Sequence, residues 1–170
     1  MRDLIFVITL TLIGCATSTS LSPLDQGLAH LSPTQPQLPV SATDSVRLLA
    51  LEQTLLHGLP NFRPGARVVL SQDRGFASAR VLPAARSVTF YILDSVQIQA
   101  LADRYGDMNY LVVGEATMEG DSAIAAIGNA FALRRRPGLR AVFGEGACYW
   151  ILRRHPGVWQ IERVGGCLVS

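Results

Sequence analysis

The chain has 170 residues, 49% of them hydrophobic, and its 15 basic and 13 acidic residues leave a formal net charge of +2. This balance lacks the strongly basic footprint of a nucleic-acid-binding protein, so we expect no nucleic-acid partner. The length permits one hydrophobic core of ordinary size.

The beginning of the chain has the layout of a secretory signal. A short charged start, Met1–Asp3, precedes an uncharged apolar run over 4–13, which is too short for a membrane-spanning helix of roughly 20 residues. The run ends in Leu12-Ile13-Gly14-Cys15, which resembles the lipobox of bacterial lipoproteins. The resemblance implies that the Cys15 thiol is acylated and that residues 1–14 are removed as a signal peptide.

Acylation of Cys15 would anchor the protein to a membrane of the cell envelope. Ala16 stands where the inner-membrane retention signal of lipoproteins has Asp, so the resemblance implies the outer membrane, with the domain facing the periplasm. Two alternatives stay open from the sequence: an ordinary signal peptide cut after Ala16 or Ser18, and a retained membrane anchor.

Residues 15–42 are predicted to be the lipidated cysteine followed by a flexible tether. They are rich in Ser, Thr, Pro and Gln, and the prolines at 23, 33, 36 and 39 prevent a continuous helix. We therefore expect a single globular domain over 43–170.

The domain is predicted to begin with a leucine-rich helix. Leucines occupy so much of the helical circumference over 46–59 that this helix must be largely covered. Thr43 or Asp44 can cap its start, and Gly58 with Pro60 ends it.

A second helix is predicted directly after two short strands. The strands, over 67–71 and 87–93, are rich in Val, Phe, Tyr and Ile. Asp94 and Gln97 then have the spacing of a capping box, and Gly106 ends the helix.

The rest of the chain has the pattern of strands. Segments 109–119 and 122–133 flank Gly120-Asp121, a two-residue turn with glycine first, as a type II′ turn requires. A second hairpin is predicted from 140–153 and 158–169, which completes a four-strand antiparallel meander.

The register of the first hairpin is predicted from its apolar face. If Glu119 opposes Ser122, one face is apolar from end to end, whereas a slip of one residue would place glutamates on it. In this register Val112 opposes Asn129. Tyr110 then opposes Phe131 at the far end.

The predicted fold class is α+β, with two helices packed on one face of a curved antiparallel sheet that ends in the meander. The order of helices first and a long meander last resembles the cystatin-like and NTF2-like rolls. The closing stretch is also similar to uncharacterised bacterial proteins in Tyr110-Leu111, the Gly-Asp turn, Gly144-Glu145-Gly146 and Trp159. Because that fold class includes both enzymes and binding modules, the resemblance implies no particular activity.

No metal or nucleotide motif is found in the sequence. His30, His57 and His155 share no motif, and neither H-x-x-x-H nor C-x-x-C occurs. Gly144-Glu145-Gly146 lacks the strand-to-helix setting of a phosphate-binding loop, and no nucleophile elbow is present. We expect no cofactor and no metal, and we assign no catalytic residue.

Asn129 is the main candidate for a binding residue. In the predicted register it projects from the apolar face beside Tyr110 and Phe131, as a polar anchor in a pocket between helix and sheet would. The alternative is a hydrogen-bonded structural residue, the usual role of a buried Asn. Glu115, on the opposite face, is interpreted as solvated or paired with an arginine rather than as a catalytic base.

The arginines of the loop between the hairpins are candidates for contact with an anionic surface. Arg134, Arg135, Arg136 and Arg140 lie within one short segment, and on a membrane-tethered protein they could contact headgroup phosphates or another polyanion. A solvated loop is the alternative.

Two functions are compatible with these patterns. The favoured hypothesis is a membrane-anchored envelope lipoprotein that binds an envelope protein or component of unknown identity without catalysis. The alternative is a small-ligand-binding or enzymatic NTF2-like domain that uses a pocket between helix and sheet.

Cys148 and Cys167 form an even pair once Cys15 is assigned to lipid, and an oxidising compartment favours their pairing. A regular hairpin opposes it, because Cys148 would face roughly Val164. A glycine bulge at Gly165-Gly166 would restore the pairing. Without a bridge, each cysteine would be a small buried hydrophobic residue.

Overall fold

The computed structural model describes residues 22–58, 65–72, 88–136 and 145–169. They form six strands and three α-helices. The helices are α1 (Pro23–Leu28), α2 (Ala42–Gln53), which continues as a π-helical turn over Thr54–Gly58, and α3 (Ser95–Tyr105). The strands are β1 (Arg67–Ser71), β2 (Thr89–Leu93), β3 (Met108–Glu119), β4 (Ser122–Ala132), β5 (Glu145–His155) and β6 (Val158–Val169).

All six strands belong to one mixed sheet in the order β2-β1-β3-β4-β5-β6. The four-strand antiparallel meander from β3 to β6 is confirmed. β1, however, pairs in parallel with both β2 and β3, so the prediction of a sheet that is antiparallel throughout was wrong.

Local capping signals position the helices. The capping box of α3 is present as predicted: the Asp94 carboxylate accepts from the backbone N–H of Gln97, whose side chain accepts from the Asp94 N–H, and Gly106 caps the other end. The cap of α2 is Ser41 rather than Thr43 or Asp44, because the Ser41 hydroxyl accepts from the backbone N–H of Asp44.

The β3–β4 hairpin has the predicted register only near its turn. Glu119 opposes Ser122 and Ala116 opposes Ala125, but the register shifts between Val113 and Ala116. This bulge inserts one extra residue into β3. The pairings on the far side of the bulge from the turn, from Met108 to Val113, are therefore displaced by one position from the predicted register.

The sheet is covered by helices on both faces, not on one. In β1, Val68 and Leu70 join the core beneath α2, whereas Val69 between them joins the core beneath α1 and α3. Successive residues of a strand point to opposite faces. The prediction that both helices cover the same face was therefore wrong.

Two clusters of buried residues fill these faces. The larger one lies between α2 and the sheet, and consists of Val46, Ala50, Leu51, Val68, Leu70, Phe90, Leu111, Val113, Ala123, Ala125, Ile127, Trp150, Leu152 and Trp159. The smaller one lies beneath α1 and α3, and consists of Leu28, Val69, Tyr91, Leu93, Ile98, Leu101, Ala102, Met108 and Ala132.

Residues 22–34, predicted as part of a tether, are part of this fold. Leu28 of α1 is fully buried in the core that lies between the sheet and the helices α1 and α3. The Thr34 backbone N–H donates to the Phe90 carbonyl at 2.8 Å, and the Thr34 hydroxyl accepts from the Ile92 N–H at 3.0 Å. These bonds cover the exposed edge of β2, so part of the segment predicted as a tether contributes contacts to the sheet.

Two register shifts bring the C-terminal cysteines together. The β5–β6 pairing shifts between Tyr149 and Trp150 and again between Ile151 and Leu152. Cys148 thereby opposes Cys167 directly, and the two form a disulfide with their Cα atoms 4.1 Å apart. The glycine bulge considered from the sequence supplies one of the two shifts, since Gly165 has no partner in β5.

Candidate functional site

The predicted pocket of Tyr110, Asn129 and Phe131 is not assembled. Beyond the bulge Tyr110 opposes Ala130 and packs in the α1–α3 core, whereas Asn129 opposes Leu111, a residue of the α2 core. Tyr110 and Asn129 therefore lie on opposite faces of the sheet. The bulge is the physical reason, because the added residue reverses which face of the sheet is occupied by each β3 side chain that precedes it, Tyr110 included.

The side-chain oxygen of Asn129 is buried without a hydrogen-bond partner, and the Arg47 Nε in α2 is the other such atom among the described residues. The space beneath α2 is otherwise filled by the apolar cluster around Trp150 and Leu51. Glu115 lies in the bulge and is exposed to solvent.

A groove lies instead on the other face, between α1 and α3. It has a volume of about 480 Å³ and is lined by Gly27, His30, Leu31, Gln97, Ala100, Leu101, Arg104 and Tyr105. Leu31, Leu101 and Tyr105 provide apolar surface, and the exposed side chains of His30 and Arg104 lie at its rim. Such a combination suits a ligand with an apolar part and an anionic group.

The sequence interpretation missed this groove because it assigned three of the eight lining residues, Gly27, His30 and Leu31, to the tether. The available signal was local: Ser22 caps α1 by accepting from the Asp25 N–H, and Pro23 occupies the first helical position. Ser before Pro at a helix start is a recognised N-terminal pattern.

Gly27 permits the close contact between α1 and α3. A Cβ atom at this position would lie 2.5 Å from Cε2 of the Tyr105 ring. We expect Gly27→Ala to destabilise the protein by about 1–3 kcal/mol, the usual cost of overpacking, despite the better helix propensity of Ala. Urea unfolding measures this loss, and the stability difference between Gln26→Gly and Gln26→Ala, at an exposed position inside α1, is the control for helix propensity alone. Equal stability of Gly27→Ala and the unchanged protein would contradict the packing described.

The backbone of the arginine loop is hydrogen-bonded to side chains of α3 and to Asp107, two residues after this helix. The Asp103 carboxylate accepts from the Arg135 backbone N–H at 2.9 Å, and the Asp107 carboxylate accepts from the Arg134 N–H at 2.7 Å. The Gln99 amide donates to the Leu133 carbonyl at 2.9 Å. Arg140 lies outside the described residues.

The Asp103 carboxylate interacts with both the backbone and the side chain of Arg135. The hydrogen bond from the Arg135 backbone lowers the pKa of the Asp103 carboxyl, and so do the Gln99 amide and the charges of Arg135 and Arg134, while desolvation opposes them. The Arg135 Nε lies 3.4 Å from the same carboxylate.

A lowered pKa determines the direction of the pH effect. The attachment is fully present above the ordinary Asp range and is lost as pH falls through the lower pKa of the folded state. In an NMR titration the Arg135 amide shift should follow this depressed carboxyl pKa. Asp103→Asn should abolish the titration step, and a step that persists in this variant would contradict the assignment.

No group of three or more potential metal ligands occurs in the described part of the chain. Among the same residues, no helix is both long and apolar enough to cross a membrane.

Comparison with known proteins gives no further constraint. No protein-family model, no curated protein and no solved structure matches this chain significantly.

Proposed function

We propose that this protein is a lipid-anchored lipoprotein of the bacterial cell envelope, and that its folded domain is a non-catalytic binding module. The observation that carries the proposal is that two of the three cysteines are paired with each other and the third lies at the end of the apolar run. Cys148 and Cys167 are joined in a disulfide, which leaves Cys15, at the end of the apolar run, as the one cysteine outside that bridge.

The disulfide also bears on the compartment. Such bridges persist in oxidising compartments, including the periplasm, and are rare where thiols are kept reduced. A secretory signal followed by an acylated cysteine is consistent with that environment. Ala16 after the cysteine favours the outer membrane, with the domain on the periplasmic side.

Two surface features support a binding role. The groove between α1 and α3 combines apolar walls with His30 and Arg104, and the neighbouring arginine loop is held in place by Asp103. The alternative of a small-ligand or enzymatic site beneath α2 has less support, since the apolar cluster occupies that space.

For the finer fold class, we infer a relation to the cystatin-like and NTF2-like rolls for the meander half alone. The support is that α2 packs on one face of the meander, with Trp150 of β5 and Trp159 of β6 in its core. The inferred relation does not extend to β1 and β2, which pair in parallel.

Metabolic labelling with a fatty acid tests the lipid anchor. We expect the chain to be labelled and to fractionate with the outer membrane, and Cys15→Ser to lose the label completely. The paired variant Cys148→Ser with Cys167→Ser is the matched control and should keep the label. Absence of label on the unchanged chain, or unchanged label on Cys15→Ser, would refute the proposal.

A further inference from the structure

Four arginines from two distant segments gather around α3. Arg104 lies in its last turn, and Arg134, Arg135 and Arg136 are brought alongside it by the hydrogen bonds to Asp103 and Asp107. We call these four residues the basic cluster. All four side chains are exposed, and the sequence alone associates only the last three with one another.

The two carboxylates that hold the loop, Asp103 and Asp107, offset part of the positive charge of this cluster and leave it with an excess of positive charge. Arg135 forms an ion pair with Asp103 and remains 74% exposed. Arg104 lies over the Tyr105 ring at 5.3 Å, and within the described part of the chain neither it nor Arg134 nor Arg136 forms an ion pair. Asp25, the acidic residue of α1, is paired with Arg67.

The described part of the chain begins on the face that carries the basic cluster. α1 packs against α3, and Ser22 is the N-cap of α1. Ser22 is seven positions after Cys15. Seven residues span at most about 25 Å, so a lipid on Cys15 would hold this face within reach of the membrane surface.

We propose that the face formed by α1, α3 and the basic cluster docks onto anionic phospholipid headgroups of the membrane that holds the anchor. This inference rests on the lipid anchor proposed above. Phosphate groups are the natural counterions of clustered exposed arginines. The groove between α1 and α3, with Arg104 at its rim, and the 75% exposed Val96 on α3 give the same face apolar surface that suits the headgroup–acyl boundary.

Tethering strengthens weak contacts of this kind. Once Cys15 is in the bilayer, docking is intramolecular, and a short linker gives a high effective concentration of the face at the surface. Removal of three arginines should weaken the docking equilibrium on the order of a hundredfold. High salt should weaken docking as well, because these contacts are exposed.

The test uses the chain from Cys15 onward, which contains every described residue of the fold. Because Cys148 and Cys167 are bridged, Cys15 is the thiol available for coupling to a maleimide phospholipid. The coupled protein is placed on vesicles of phosphatidylglycerol with phosphatidylethanolamine or on vesicles of phosphatidylcholine, and amide hydrogen exchange is compared. We expect slower exchange over 95–105 and 133–136 on the phosphatidylglycerol vesicles.

Two triple variants decide between a specific face and overall charge. Arg104→Ser, Arg134→Ser and Arg136→Ser should abolish the slowing while Arg135 keeps the loop attached. The matched control, Arg153→Ser, Arg154→Ser and Arg163→Ser, removes the same charge from exposed positions of the β5–β6 hairpin and should retain it. Identical exchange on both vesicles, or equal loss in both triples, would overturn the proposal. Since the lipid is attached chemically, failure here is distinct from failure of fatty-acid labelling in cells.

Discussion

Trp150→Ala should lower the free energy of unfolding by about 3–5 kcal/mol, the usual range for truncation of a buried large aromatic residue. The Trp150 side chain is only 4% exposed and lies in the core beneath α2. Its indole N–H donates to the Thr54 hydroxyl at 2.8 Å, and that hydroxyl donates to the Ala50 carbonyl at 2.8 Å. The truncation therefore opens a cavity and removes the link between β5 and the C-terminal end of α2.

Urea unfolding followed by circular dichroism measures this effect without dependence on tryptophan fluorescence. Val158→Ala, at a 59% exposed position of the same hairpin, is the control and should change stability by less than about 0.5 kcal/mol. A loss below about 1 kcal/mol for Trp150→Ala would contradict the core position of this side chain.

A double-mutant cycle separates the hydrogen bond from the packing. Thr54→Val leaves the buried indole N–H without an acceptor and should cost about 1–3 kcal/mol. When Trp150→Phe has already removed the donor, the same Thr54→Val change should cost less, because no unpaired donor remains. Equal costs in the two backgrounds would mean that the two side chains do not interact.

The parts of the fold that could be predicted depend on signals contained within a few residues. The Asp94–Gln97 capping box and the Gly120-Asp121 turn are of this kind, and both occur where expected. The bulge near Gly114 could not be predicted from such a local signal, because it depends on how β3 fits β4 and β1 at the same time. A Cβ at Gly114 would lie 3.1 Å from the Ala126 Cβ and carbonyl oxygen, so glycine marked the position without indicating a shift of register.

The sequences of β1 and β2 contain a signal that both faces of the sheet are covered, and the one-face prediction did not take it into account. Val68-Val69-Leu70 and Phe90-Tyr91 are continuous apolar runs, and all five of these residues are buried. Such runs are typical of parallel strands covered on both sides, whereas a strand covered on one side alternates. Alternation in β4, where Ala123, Ala125 and Ile127 face α2, suggested one covered face for the whole sheet.

The candidate site was less predictable than the fold because it is assembled from segments far apart in the chain. His30 follows α1, Arg104 lies in the last turn of α3, and Arg135 follows β4. Composition gave the segment around Pro23 and Pro33 the character of a linker. Only tertiary contacts, such as that of Gly27 with Tyr105, show that it is a wall of the groove.

Loss of the disulfide should lower the free energy of unfolding by about 3 kcal/mol, as the chain-entropy estimate gives for a loop of this size. The bridge joins residues 19 positions apart and holds the end of the edge strand β6. Beyond the second register shift that strand has little burial of its own, since Val164 is 51% and Leu168 is 64% exposed. We therefore expect the paired variant Cys148→Ala with Cys167→Ala to exchange the amides of 165–169 faster than those of 158–161, where Trp159 is buried.

Reduction of the unchanged protein is the matched control, because it removes the same cross-link without changing a residue. It should reproduce the stability loss of the paired alanine variant, and reduction of that variant should have no further effect. Thiol counting on the unfolded, unreduced chain from Cys15 onward should find one reactive thiol. Three thiols, or equal stability with and without reductant, would show that the end of β6 is held by its backbone pairing with β5 alone.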